Sequence, residues 1–367
     1  MNNETYYSKH LITYIGNKRK LLCNINEIVV DIKKKLNKEF ITSLDGFSGS
    51  GVVAILLKSH SSEIHVNDCE NYSRVLNECY LVEPTKKQKT EIKKWIEKLN
   101  KHTENVIGNV STHYSPKNDS NIQNHERVFY THENGKRIDT MIEIISRAPE
   151  SIKNYLLAPL IVQSSINTNT SGIFKGFHKK DGIGAFGGRN SVALSRITKP
   201  IKLLMPEWGD NTHNPKVQVH QKDTNELINE LPKVDIAYFD PPYNQHPYGS
   251  NYFMLNLIAE CTPNVPINPS GVSGILPWNK SEYNYAKSAK NAMVNLIENT
   301  KASFIIISYN NEGTIPMKEW LEILSNYTYS KVEIKYPTYK GSRNLSDRST
   351  HVQEILWIIE KKTETDR

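Results

Sequence analysis

The chain has 367 residues, 38% of them apolar, which suits one large catalytic domain with an inserted part and excludes wholesale disorder. Its longest apolar runs, such as Phe304 to Ile307 and Ile355 to Ile359, are strand-sized, and its first ten residues are polar; no membrane span or signal region is expected, and a cytoplasmic location is. A net charge of +7 permits a polyanionic partner without proving one, while Cys23, Cys69, Cys79 and Cys261 fit no zinc spacing, so reduced thiols and no metal site are expected.

Leu21, Leu22, Ile25, Ile28, Val29 and Ile32 recur at helical spacing within residues 11–36. A short strand over 41–45 ends in Asp45, the glycine-rich run Gly46 to Gly51 follows, and Val52 to Lys58 reads as the next helix. Ile64 to Asp68 is a second strand ending in an acid. This alternation marks an open, mostly parallel α/β sheet. It is lost from about 71 to 215, where helix patterns over 84–101 and 151–168 flank a polar stretch read as loops. It resumes with strands Val217 to His220 and Val234 to Phe239, a helix from Tyr285 to Asn299, and strand Ala302 to Tyr309. Val332 to Tyr336 and Val352 to Ile359 read as a closing pair. The simplest organisation is one α/β domain, residues 1–70 and 216–367, split by an insertion over 71–215.

Asp240-Pro241-Pro242-Tyr243 follows the apolar strand Val234 to Phe239. Two prolines lack N–H donors and fix φ, so they hold an acid, an outward carbonyl and a ring at the carboxyl edge of the sheet, where open α/β folds bind ligands. An exocyclic amine carries two N–H donors and a delocalised lone pair. Asp240 and the Pro241 carbonyl can each accept one N–H, which favours a more tetrahedral nitrogen able to attack a methyl sulfonium, and Tyr243 can stack on the base. The plain alternative is a strand-terminating turn.

The segment resembles the catalytic motif of the DNA amino-methyltransferases, and the run on to Asn251, Tyr252 and Phe253 is similar to FokI-type modification methylases of the alpha, Dam-like group. The resemblance implies a Rossmann-like S-adenosylmethionine-dependent sheet, mostly parallel with one antiparallel closing strand. It implies methyl transfer to the N6 of an adenine flipped from double-stranded DNA, and a cognate restriction endonuclease as possible partner. Cytosine-N4 transfer and a non-catalytic DNA-binding subunit remain as alternatives. Tyr252 is implied to contact the flipped base or the strand around it.

For the cofactor, Asp45, Phe47, Gly49 and Gly51 lie on a strand-to-helix turn resembling the methyltransferase version, where backbone packs on the methionine part; a plain tight turn reads equally. Asp68 can bond ribose hydroxyls, with Glu70 a near rival. Asp223 is implied to bind the cofactor adenine, or caps the helix at Asn225. The segment from Tyr14 to Lys20 is similar to one that closes the pocket in Dam-like enzymes, with Lys18 near the methionine carboxylate.

Residues 172–202 hold Lys175, Lys179, Lys180, Arg189, Arg196, Lys199 and Lys202 against Asp181 alone, interleaved with Phe174, Phe177, Phe186 and glycines. Cations, rings and flexible backbone suit phosphates and unstacked bases. Lys340 and Arg343 sit in a basic loop before the last strand, also expected near the target strand. The plain alternative for the first stretch is a solvated face and for the second a solvated connection.

Overall fold

The computed structural model describes residues 12, 14–188, 191–209, 213–262, 266–268, 270–274, 278–337 and 351–361. The strands in chain order are β1 (Ile41–Asp45), β2 (Ser61–Asn67), β3 (Lys179–Lys180), β4 (Ile183–Gly184), β5 (Lys216–His220), β6 (Val234–Phe239), β7 (Ala302–Asn310), β8 (Thr328–Pro337) and β9 (His351–Glu360). The chain divides into two compact units.

One unit comprises Gly16–Arg74, Asp210–Pro247 and Asn279–Arg367 and contains a seven-stranded sheet in the order β5-β2-β1-β6-β7-β9-β8. Every neighbouring pair from β5 to β7 is parallel, and β9 runs antiparallel to both β7 and β8. The fold is therefore the mostly parallel α/β sheet that the sequence pattern implies, with the one antiparallel closing strand that the resemblance implies. Its centre is apolar on both faces: β6 is buried throughout, and Ile305, Ile306 and Ile307 of β7 are fully buried. Strands covered on both faces read as continuous apolar runs rather than alternation, which is why they stand out in the sequence. One side of the sheet packs Phe239, Ile307 and Trp357 against Met293, Leu296 and Trp320 of the following helices.

The other unit comprises Met1–Ile15, Val75–Gly209 and Tyr248–Trp278. It is mainly helical, with long helices Lys86–Lys101, His132–Ser146 and Glu150–Asn167. Thr85 and Thr131 cap the first two by accepting from Gln88 N at 3.3 Å and Asn134 N at 3.2 Å. The polar stretch read as loops also holds a short helix, Asn109–His113. Residues 248–278, which follow the catalytic motif in sequence, group with this unit. No described helix is long and apolar enough to cross a membrane.

Candidate active site

Parallel pairing fixes where the acids fall. Asp45, the last residue of β1, is in register with Val66 of β2 and Tyr238 of β6. Asp45, Asp68 and Asp240 therefore leave adjacent strands at one carboxyl edge.

The glycine-rich turn is threaded tightly through that edge. Gly46 N donates to Tyr238 O at 2.9 Å, and Ser48 N to Asn67 O at 2.9 Å. A Cβ on Gly46 would lie 2.6 Å from the Phe239 ring, so only glycine fits. Gly49 and Gly51 have φ of 50° and 81°, the left-handed region that glycine enters without strain. Asp68 locks the turn: Oδ2 accepts from Gly49 N at 2.7 Å, and Oδ1 from Glu70 N at 2.9 Å. Burial raises its pKa. Phe47 meets Phe239 and Tyr283 edge-on, with centroids 6.2 and 5.5 Å away.

Asp45 differs from Asp68. It is 1% exposed, and no hydrogen bond of good geometry reaches either carboxylate oxygen, although the Phe47 and Ala54 amides lie near enough to favour the ionised form. Burial, with Asp240 nearby, pushes its pKa well up. Buried carboxylates are ordinarily paired, so a poorly satisfied one marks a place for a cationic or donor group.

Asp240 emerges from β6 with its side chain 20% exposed. Lys18 Nζ lies 3.0 Å from Asp240 Oδ1 and 2.9 Å from Glu354 Oε1. Glu354, on β9, also accepts from Ser308 Oγ at 2.7 Å. Burial alone would lower the Lys18 pKa, but the two carboxylates outweigh it and hold the ammonium charged well above its ordinary value. Asp240 is pushed up to about 7, by burial first, with Glu354 adding to it and Lys18 opposing. Pro241 is buried, and Tyr243 is half-buried, its ring 5.9 Å from Lys18 Nζ and its carbonyl accepting from Thr314 N at 3.0 Å.

Asp223 caps the helix Thr224–Glu230, Oδ1 accepting from Asn225 N at 2.8 Å and Glu226 N at 3.3 Å. In the helical unit, Tyr14 stacks on Tyr252 at 4.8 Å and on Tyr248 at 5.2 Å. The Tyr252 hydroxyl accepts from Ile15 N at 2.7 Å. Tyr252 is fully buried, so its ring supports the Tyr14 segment rather than offering a face to a base.

The basic stretch resolves into different jobs. Lys175, Lys179 and Lys180 are exposed, the last two on β3. Arg196 instead donates to the carbonyls of Ile166 and Thr168, the latter at 2.8 Å, so it serves the end of the helix Glu150–Asn167. Phe174 is 1% exposed and packs with Phe129 and Phe253, at 5.9 and 6.1 Å. The expectation that Phe174 meets bases gives way to a core role, because a ring among apolar rings buries more surface than one left open. Arg189, Lys340 and Arg343 lie outside the described residues.

Sequence reasoning missed Glu354 and Ser308. The available signal was an acid directly before the apolar run Ile355 to Ile359, where a charge is kept only with a partner.

A family model described as D12 class N6 adenine-specific DNA methyltransferase matches residues 14–315. The chain is 29% identical to Type II methyltransferase M.NlaIII of Neisseria lactamica, over 95% of this chain and 99% of that protein. It is 29% identical to Type II methyltransferase M.CviAII of Paramecium bursaria Chlorella virus 1, over 95% and 98%. Type II methyltransferase M.FokI of Planomicrobium okeanokoites is 30% identical over 95% of this chain and 52% of its own length.

Proposed function

Because the chain belongs to the D12 class of N6 adenine-specific DNA methyltransferases, we propose that it methylates a flipped adenine of duplex DNA from S-adenosylmethionine at the edge formed by Asp45, Asp68 and Asp240. The cytosine-N4 and non-catalytic alternatives give way to that membership. The type II relatives support a role as the modification enzyme of a restriction system, with a cognate endonuclease acting on the same site.

The observation that carries the reading is the shared carboxyl edge, with a buried, poorly satisfied carboxyl at Asp45 beside a partly open one at Asp240. The residues present fit the methyl donor. Asp45 takes its ammonium, the close-packed backbone from Gly46 to Gly51 runs beside it, Asp68 takes ribose hydroxyls, and Asp223 takes the adenine amine. When bound, S-adenosylmethionine supplies an activated methyl group and one positive charge. Asp240 and the Pro241 carbonyl accept the two N–H bonds of the target amine, and Tyr243 stacks on the base, a contact of about 1–3 kcal/mol. Flipping is needed because N6 lies inside the stack. Lys18, held between two carboxylates, orients Asp240. Lys175 and Lys179 meet the phosphates.

Asp240→Ala is expected to abolish tritium transfer from labelled cofactor to DNA while cofactor binding persists. Continued incorporation would refute the role of Asp240. A Gly49→Val variant is expected to lose cofactor binding itself. Sequencing methylated bases in a host expressing this gene alone identifies the target base and its site.

A further inference from the structure

A buried acid in the last strand, Glu354, is a second partner of Lys18 whose own contribution to the reaction is separate from holding the lysine in place. Glu354 is 3% exposed and followed on β9 by the buried residues Ile355, Leu356 and Trp357. Holding Lys18 does not require it, since Asp240 alone makes a neutral pair. Yet Lys18 Nζ is shared almost evenly, 3.0 Å from Asp240 and 2.9 Å from Glu354, and Ser308 Oγ fixes Glu354 from β7 at 2.7 Å. Two carboxylates around one ammonium leave the group with a net charge of −1. A third buried charge is costly unless it does something a simple pair does not.

We propose that Glu354 is a positioning residue that divides Lys18 between two carboxylates, so that Lys18 orients Asp240 without neutralising it. The inference rests on the reading of Asp240 as the acceptor of the target amine. Lys18 engages Asp240 through Oδ1, which leaves Oδ2 to receive an incoming N–H. The residual negative charge faces a reaction in which one positive charge enters on the donor and ends on the amine nitrogen. The nitrogen lone pair forms the new C–N bond, the old carbon–sulfur pair stays on sulfur, and the surplus N–H proton passes to Asp240. A neutral Lys18–Asp240 pair would serve neither the incoming charge nor the departing proton as well. Among the described residues, the charged and titratable groups around Asp240 are Lys18, Glu354, Asp45, Tyr238 and Tyr243.

The test follows the Asp240 carboxyl by 13C NMR in protein labelled at aspartate, with the signal assigned by its loss in Asp240→Asn. Wild-type Asp240 is expected to titrate near neutrality; titration in the usual aspartate range overturns the proposal, even if no variant folds. Glu354→Gln keeps the shape and removes the charge. It is expected to move the Asp240 midpoint down by about one pH unit or more, as removal of a neighbouring like charge does. Its plateau rate of methylation is expected to fall about tenfold, and Glu354→Asp to restore the midpoint. A Glu354→Gln protein that loses thermal stability but keeps the wild-type midpoint has only a structural glutamate, and the proposal fails. Methylation by Asp240→Asn would sink the assignment of Asp240 while leaving the titration result intact, so the two failures are distinguishable.

Discussion

Asp240 accepts an amine proton only when ionised, and its pKa stands at about 7 because burial and Glu354 outweigh Lys18. The sign for activity follows directly. Below the midpoint the carboxyl is protonated and the rate falls about tenfold per pH unit; above it the rate levels off. In kcat/KM, which reports the unliganded protein, the midpoint is expected near 7. In kcat it is expected lower, because the donor's positive charge favours the ionised form. A pH series from 5.5 to 8.5 checks both, and coincident midpoints would show that the donor's charge does not act on Asp240. Gly46 is constrained differently: a methyl there meets Phe239 at 2.6 Å and Thr224 at 2.9 Å. Gly46→Ala is expected to cost about 1–3 kcal/mol by overpacking and to weaken cofactor binding. Denaturant unfolding with and without cofactor measures the two effects separately.

At the scale of elements, a buried polar group organises a short helix within the apolar packing of the helical unit. Asp139 accepts from Gly108 N at 3.0 Å, Val110 N at 2.9 Å, Ser111 N at 2.8 Å and Ser111 Oγ at 2.6 Å, and so nucleates the helix Asn109–His113. Asp139→Ala strands those donors and is expected to cost about 3 kcal/mol. Arg196 and the Lys179–Lys180 pair, neighbours in one basic stretch, separate in the same way. Arg196→Met is expected to lower the thermal midpoint and leave the salt dependence of DNA binding unchanged. Lys179→Ala and Lys180→Ala are each expected to reduce the slope of log affinity against log salt by about one, at constant stability. A common effect of all three would mean that burial does not sort these cations. The sheet was legible from sequence because β6 and β7 are nearly continuous apolar runs and β1, β2 and β6 lead into acids, and the glycine turn because close backbone passage demands glycine. Depth was not: Phe174 and Tyr252 have the composition of base-stacking rings and are buried, since a ring reads the same in a core as at a surface. Glu354 stayed hidden because its partner Lys18 lies at the other end of the chain. Residues 248–278 follow the catalytic motif in sequence and group with the helical unit, a grouping that adjacency along the chain does not reveal.

For the molecule as a whole, the same three carboxyls make stability a function of pH and of ligand charge. Burial raises the pKa of Asp45, Asp68 and Asp240 in the folded state, the last to about 7, above the value of about 4 in an unfolded chain. Between those values the native state holds more protons than the unfolded one, so stability is full below the unfolded pKa and is lost as pH rises through the folded pKa. Lys18 does not offset this, because its raised pKa loses stability only far above neutrality. The unliganded protein is therefore expected to melt at a lower temperature at pH 8 than at pH 6. A cationic ligand reverses the trend and a neutral one does not. S-adenosylmethionine should raise the midpoint more at pH 8 than at pH 6, when the carboxylates are ionised, and S-adenosylhomocysteine, which lacks the sulfonium charge, should show a smaller difference between the two pH values. Calorimetric scans of the two complexes at matched saturation measure that difference. If both ligands stabilise the protein with the same pH dependence, the acidic edge does not sense the charge that the methyl group carries in.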